Sequence, residues 1–334
     1  MGQQVIVFGG SGFLGSHVAD SLSDRGYKVT LFDKTPSPYI RPDQRMIVGD
    51  ILDSFKVKKA IEGQEIVYHF AGLSDLDEAH AKPIATVEQN IRGSVNLLDI
   101  SAESGVKRFV FASTIYVFSE LGGFYRCSKQ AAELYIEEYK KKYGLDFTIL
   151  RYGTLYGPRA DQKNSIRRYL SQGLKEGKVR FPGTGEEIRE YIQVRDAAKL
   201  SVDILNEEFT NQHIIITGHH PMKTSDMLKM INEILGLKIE LEYQKKTYEF
   251  KLKDVSDLGY SIELKHKIAE HFKVTQPINL LSVHGVNLPK AIGGSIVYIQ
   301  KSPHKWSKGH SIIGIKFNRK SKLFTLIAKQ MGLS

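Results

Sequence analysis

Val5-Ile-Val-Phe-Gly-Gly-Ser-Gly-Phe-Leu-Gly15 decides how the rest of the chain is read. A short apolar, β-branched run leads into glycines at 9, 12 and 15, and His17 to Gly26 follows with helical spacing. This glycine pattern means a phosphate-binding turn only when a strand precedes it and a helix follows, as here. Gly9 permits the tight turn, Gly12 lets backbone approach a pyrophosphate at the helix N-terminus, and Gly15 lets helix and strand pack closely. Gly9, Gly12, Phe13, Leu14 and Gly15 are therefore the candidate contacts of a dinucleotide. Asp33 closes the next strand-like run, KVTLFD, 18 residues after Gly15. A carboxylate there accepts hydrogen bonds from both ribose hydroxyls and repels a 2′-phosphate, which favours NAD over NADP. Gly49-Asp50-Ile51 follows the third strand, where Asp50 and Ile51 either border the adenine or, in the case of Asp50, cap a helix.

Working outward, apolar runs alternate with helical-period segments: MIVGD (46–50), EIVYHFAG (65–72), a helix near 85–104, RFVFAS (108–113), a helix near 125–143 and FTILRY (147–152). Strands rich in Val, Ile and Phe separated by helices predict a parallel sheet covered on both faces. The fold class expected is α/β, a doubly wound Rossmann domain over 1–157. A smaller mixed α/β lobe is expected over 158–243, with a helix near 196–206, the strand HIIITG (213–218) and a helix near 224–236, partly returning to the first domain. Residues 244–334 read as a basic C-terminal extension of unassigned fold, within which GGSIVYIQ (293–300) and a helix-like 319–332 suggest structure.

Composition limits the alternatives. The chain has 334 residues, 41% of them hydrophobic and 25% charged, enough for a substantial core. Its single cysteine, Cys127, excludes an internal disulfide and any multi-cysteine metal site. None of the 11 histidines shows metal-ligand spacing with a carboxylate; His69 in an apolar run and His219-His220 after a strand read as core and loop residues. With no long apolar run and no basic leader, a cytoplasmic protein is expected. The net charge of +10 is uneven: from Lys265 onward, 12 Lys and Arg face one acid, Glu270. Lysines interleaved with Trp306, Phe317 and Phe324 suit nucleic acid, and the 319–332 segment suits an anionic membrane. A solvated or packed appendage is preferred to both.

Tyr125-Arg-Cys-Ser-Lys129 puts a phenol and an amine on one helical face, which by spacing alone decides nothing. The ordered set GGSGFLG, HFAG, NIRGSVNLLD, FASTIYV, YRCSK, LRYGTLYGPR and GTGEEIREYIQVRDAA, however, resembles the extended short-chain dehydrogenase/reductase group that contains the NAD-dependent nucleotide-sugar epimerases and dehydratases. The resemblance runs from about Val5 to about Leu241. It implies Tyr125 as acid/base, Lys129 as its partner and Thr114 as the residue bonding the reacting hydroxyl. It further implies NAD contacts at Ala71 and Tyr152, and substrate contacts at Thr154, Arg159 and Arg189. Asn90 would support the Tyr125 helix or border the cofactor. Lys129 and the positive nicotinamide ring would together lower Tyr125 from its ordinary value of about 10 toward neutrality. The implied chemistry is epimerisation of a nucleotide-diphosphate sugar through a keto-sugar, with a homodimer formed by the helices near 85–104 and 125–143.

Four departures from the family pattern refine this expectation. Thr114 and Tyr125 are only 11 positions apart, with SELGG replacing a longer loop. Ile115 and Tyr116 stand where dehydratases carry an acidic pair, which argues against dehydration and makes decarboxylation less expected than epimerisation. Thr154 replaces a common Asn and reaches less far, and the family's ending is unrecognisable beyond about 243. The alternatives are a sugar oxidoreductase that releases its keto product and a nucleic-acid-binding protein on the same fold.

Overall fold

The computed structural model describes residues 2–181 and 183–236 in full and, beyond them, six strands by their backbone. Residues 1–245 form one compact unit and 246–334 a second.

The first unit is built on seven parallel strands: β1 (Gln4–Phe8), β2 (Lys28–Asp33), β3 (Arg45–Val48), β4 (Ile66–His69), β5 (Arg108–Thr114), β6 (Phe147–Tyr152) and β10 (Gln212–Ile216). Their spatial order is β10-β6-β5-β4-β1-β2-β3. The order reverses between β1 and β4, and a crevice opens there at the strands' C-terminal ends, where this class of sheet binds ligands. Alternation along each strand divides the core in two. Ile6, Phe8, Val67, Phe109, Phe111 and Ile149 face helices α2 (Ser54–Ile61), α5 (Gly93–Glu103) and α6 (Gly123–Tyr143). Val5, Val7, Leu31, Tyr68, Val110 and Leu150 face α1 (Phe13–Asp24) and α8 (Val194–Asp203). Each such fully buried apolar side chain stabilises the fold by about 1.5–3 kcal/mol.

The expected helix near 85–104 is present, but it is not α-helical throughout. After α3 (Leu76–Ala81), α4 (Pro83–Thr86) runs into a π-helical turn, Val87–Arg92, before α5 begins. The wider turn contains Asn90, whose buried amide bonds the Leu73 backbone twice, at 2.7 and 2.9 Å, and Ser128 Oγ at 2.9 Å. Asn90 therefore joins the loop after β4 to the helix carrying Tyr125.

The stretch 158–243 contributes α7 (Ser165–Glu176) and α9 (Thr224–Leu235), which close over Tyr169, Val179 and Leu228 in a small third core. Short strands β7 (Thr154–Tyr156), β9 (Ile188–Gln193) and β11 (Pro221–Lys223) form one sheet; β8 (Lys178–Phe181) and β12 (Glu240–Tyr243) pair in another. β10 and α8 return to the large sheet, since β10 lies parallel to β6 and α8 packs on α1. In the second unit, β13 (Lys251–Val255), β14 (Gly259–Lys265), β15 (Pro277–Val283), β16 (Val286–Lys301) and β17 (His310–Phe317) form an antiparallel sheet of order β13-β14-β17-β16-β15. The unassigned extension thus has a sheet of its own, with GGSIVYIQ inside β16. The helix-like 319–332 segment lies outside the described residues. Among the described residues, no helix is long and apolar enough to cross a membrane, and no group of His, Cys, Asp and Glu could hold a metal.

Candidate active site

A cavity of about 650 Å³ opens at the β1/β4 reversal. Its floor is the glycine turn. Gly9 follows β1 with φ +82°, and a Cβ there would lie 2.5 Å from Ala71 N. A Cβ on Gly15 would lie 2.2 Å from Gly9 O, so helix and turn touch backbone to backbone. Gly12 is less confined: a Cβ there would lie 3.3 Å from Gly9 O, a tight contact but not the overlap found at Gly9 and Gly15. Gly12 is also the N-cap of α1, with no side-chain cap and no acid in the first turn. The opening N–H groups of α1 are thereby free to meet an anion. At the end of β2, Asp33 Oδ2 accepts from Ser11 N at 3.1 Å, and the carboxylate borders the cavity. These features fit NAD: backbone donors for its pyrophosphate and a carboxylate for its ribose.

Across the cavity stand Thr114, at the end of β5, and Tyr125 and Lys129, one turn apart on α6. Helix α6 is stopped at both ends by left-handed glycines, Gly122 and Gly144, which places the Tyr125 turn directly after the short β5–α6 connection. Lys129 is 5% exposed; its Nζ donates to Ala112 O at 2.8 Å and lies 4.6 Å above the Phe111 ring. Burial lowers its pKa to about 8, and the neighbouring Glu133 partly opposes that. Tyr125 moves the other way, raised above its ordinary value by burial and by Tyr116. The chain's own groups therefore do not supply the expected lowering of the phenol. Lys129 is committed to a carbonyl, and desolvation outweighs its attraction for phenolate.

The cavity wall also includes Phe13, Leu14, Ile51, Ala71 and Tyr152, whose hydroxyl meets Ser201 Oγ at 2.6 Å. Four predicted residues are not part of that wall. Asp50 pairs with Lys34 at 3.1 Å and accepts Leu52 N at 3.0 Å; the cap of α2 is Asp53, not Asp50. Thr154 opens β7 opposite Tyr191, while its neighbours Gly153 and Leu155 reach the cavity. Arg159 turns back onto the Rossmann core, bonding Asp20 at 2.7 Å and lying 4.5 Å above the Tyr39 ring. Arg189 sits on β9 opposite Met222, bonds only Ile188 O among the described residues and has no acidic partner among them. The carboxylates that precede it in sequence are engaged elsewhere: Glu186 with Lys223 at 2.8 Å, Glu187 with the N–H groups of Thr184 and Gly185.

Sequence reading missed Tyr116 as a wall residue and missed Ser113. The available signal for Tyr116 was a bulky phenol two positions after Thr114, where the pattern led us to look only for acids.

The chain belongs to the NAD dependent epimerase/dehydratase family, whose model matches residues 5–217. A UDP-glucuronate 4-epimerase of Thermodesulfobacterium geofontis is 26% identical over 269 residues, covering 71% of this chain and 82% of that one. The structure of a UDP-glucose 4-epimerase of Thermotoga maritima with UDP-glucose is similar with a TM-score of 0.69 at 27% identity, covering 73% of this chain and 86% of that one. A Thermus thermophilus UDP-glucose 4-epimerase in complex with NAD has a TM-score of 0.65 at 27% identity, covering 72% and 86% of the two chains. NAD is accordingly the cofactor of this family and of this site.

Proposed function

We propose that the protein epimerises a UDP-sugar with NAD, using Tyr125 as the group that exchanges a proton with the sugar hydroxyl. The observation that carries this reading is the convergence of Thr114, Tyr125 and Lys129 with the glycine turn and Asp33 on one cavity at the strand-order reversal. NAD, when bound, supplies a reversible acceptor for the hydride of the sugar carbon. The chain does the rest. Thr114 bonds the reacting hydroxyl, Tyr125 takes and returns its proton, and Lys129 holds positive charge behind the phenol. Asp33 and the α1 N-terminus orient the cofactor. Arg189, free of acidic partners among the described residues, is the proposed phosphate contact of the substrate. Release of a keto product and nucleic-acid binding are not favoured beside relatives that are UDP-sugar epimerases.

The test is proton NMR of UDP-, GDP- and dTDP-sugars with the protein and NAD, alongside Tyr125→Phe. A new epimer formed only with the intact tyrosine supports the reading; no change in any sugar, with NAD bound, rejects it. A homodimer is proposed through α4 to α5 and α6, where Ile84, Val87, Leu134 and Tyr135 are exposed; sedimentation equilibrium at monomer mass would refute it. A cytoplasmic location is proposed, checked by fractionation. The basic charge belongs to the second unit: residues 246–334 hold 15 Lys and Arg against 5 acids, leaving 32 of each in residues 1–245. Loss of polyanion-column retention on removing 246–334 would assign any such binding to that unit.

A further inference from the structure

Glu133 lies two turns beyond Tyr125 and one turn beyond Lys129 on α6, and is only 6% exposed. Its carboxylate is enclosed on three sides. Arg151 of β6 approaches as a fork, Nε to Oε1 at 3.1 Å and Nη2 to Oε2 at 2.6 Å. The Ser113 hydroxyl of β5 donates to Oε1. His213 of β10 stands behind, its Nδ1 2.8 Å from Arg151 Nη2 and its Nε2 3.1 Å from Glu137. The far face of the Arg151 guanidinium lies 4.6 Å from the Phe118 ring, in the connection between β5 and α6. One carboxylate thus bonds α6 to β5 and β6 and, through Arg151, reaches His213 of β10 and the connection that replaces the family's longer loop.

A buried ion pair is a poor way to gain stability, because desolvation offsets most of its attraction and an apolar pair of similar volume does as well. It does, however, demand one geometry: the fork, the serine hydroxyl and the carboxylate satisfy each other in a single arrangement. Where such geometry matters here is plain from the neighbours. Ser113 precedes Thr114 and itself borders the cavity, and Ala112, the residue before it, accepts from Lys129. The connection is bonded to α6 by Gln130, which donates to Val117 O at 2.9 Å, and by Arg126, which donates to Ser119 O at 2.5 Å, but its apolar side chains add little packing, since Phe118 is 63% exposed and Leu121 58%.

We infer that Glu133, with Arg151 and Ser113, is a positioning unit that clamps the end of β5 and the short β5–α6 connection to the catalytic helix, setting Thr114 against Tyr125. Glu133 touches neither cofactor nor substrate; it acts through Ser113 and Phe118. The inference rests on the reading of Thr114 and Tyr125 as reacting groups.

The experiment compares wild type with Glu133→Gln and Arg151→Lys, the second keeping the charge while losing the planar fork. Hydrogen exchange by mass spectrometry is read over residues 113–121 and, as control, over β1 and β4, with NAD affinity by calorimetry and kcat and KM on the converted sugar. The expected result is exchange faster by about 10-fold or more at 113–121 with β1 and β4 unchanged. NAD affinity stays within about 2-fold, and kcat falls about 10- to 100-fold while KM moves less than about 3-fold. Unchanged exchange at 113–121 in both variants overturns the inference, as does loosening that spreads equally to β1 and β4. Should Glu133→Gln not fold, Arg151→Lys decides the exchange arm. If wild type converts no sugar, the proposed reaction fails, whereas the exchange arm still judges the clamp.

Discussion

Lys129 Nζ lies 5.8 Å from the centre of the Tyr125 ring and donates its hydrogen bond to the Ala112 carbonyl instead of to the phenol. The amine is thus held behind the tyrosine by β5, as a fixed charge in a desolvated place. Its partners there are Glu133 on its own helix, which favours the ammonium, and His69 on β4, whose imidazole the ammonium pushes further toward neutrality in an already apolar site.

That arrangement predicts a stability cost with a definite pH signature. Burial holds the Lys129 amine near 8 in the folded chain. The gap from an ordinary lysine corresponds to about 3 kcal/mol against folding at neutral pH. Between about pH 8 and 10.5 the unfolded chain binds the extra proton, so this group's contribution to stability rises with pH across that window. Lys129→Met should therefore stabilise the protein at pH 7 by about 1–2 kcal/mol, the unbonded Ala112 carbonyl taking back about 1. The gain should shrink as pH rises above 8, and turnover should be lost. Chemical denaturation at pH 7 and pH 10 checks it; a destabilised variant at pH 7 would contradict the reading of a desolvated ammonium.

The glycine turn separates folding from binding at two positions three residues apart. Gly15→Ala drives a methyl into Gly9 O, where backbone cannot yield, and should cost about 1–3 kcal/mol. Gly12→Ala brings its methyl to 3.3 Å from Gly9 O, tight but without overlap, so it should cost less stability than Gly15→Ala, yet lose about 100-fold in NAD affinity because the methyl occupies the pyrophosphate's approach. Thermal melts and NAD titration distinguish the two; equal loss of NAD affinity and of Tm in Gly12→Ala would refute the assignment.

Asp33 is the expected selector of NAD over NADP. Its Oδ2 is engaged by Ser11 N and Oδ1 by Thr35 N at 3.4 Å, which holds the carboxylate at the cavity edge beside Lys34. Asp33→Ser removes the ribose acceptor and the negative charge together. NAD affinity should fall about 10-fold while NADP, helped by Lys34, improves; calorimetry with both nucleotides measures the ratio. An unchanged ratio would place selection elsewhere.

The sheet was legible because its inner strands, such as β1, β4 and β5, are buried on both faces and so read as Val, Ile and Phe runs, and because the glycine turn has few competing explanations. Periodicity could not reveal the π-turn at 87–92: it shifts the helix by a fraction of a turn to bring Asn90 inward, and the apolar spacing on either side is scarcely altered. Nor could it reveal Glu133. Within AAELYIEEY it resembles its solvated neighbours Glu137 and Glu138, and its partner Arg151 is 18 residues away on a strand. Asp50 and Asp53 are equally plausible caps by type; only the Lys56 N–H, accepted by Asp53 at 3.1 Å, decides between them. In the second unit, β14 and β17 pair across some fifty residues, Ile262 opposite Ile313, a partnership no local pattern announces.

Two arginines that sequence reading placed together on the substrate now separate by experiment. Arg159 is held in the left-handed region at φ +64°, which costs about 1 kcal/mol for a residue with a Cβ. The Asp20 ion pair and the Tyr39 ring oppose that cost and pin the loop to α1. Arg159→Ala keeps the strained backbone while losing both partners, so it should destabilise by about 1–2 kcal/mol and leave KM within about 2-fold. Arg189 contributes no ion pair to the described fold, so Arg189→Ala should leave Tm within about 2 °C; if it meets the substrate diphosphate, KM should rise about 10-fold or more with kcat little changed, since a phosphate contact is made equally in ground and transition states. Denaturation midpoints and steady-state kinetics on the two variants give the comparison directly. The opposite pattern, KM rising in Arg159→Ala and stability falling in Arg189→Ala, would return Arg159 to the substrate and make Arg189 a structural residue of β9.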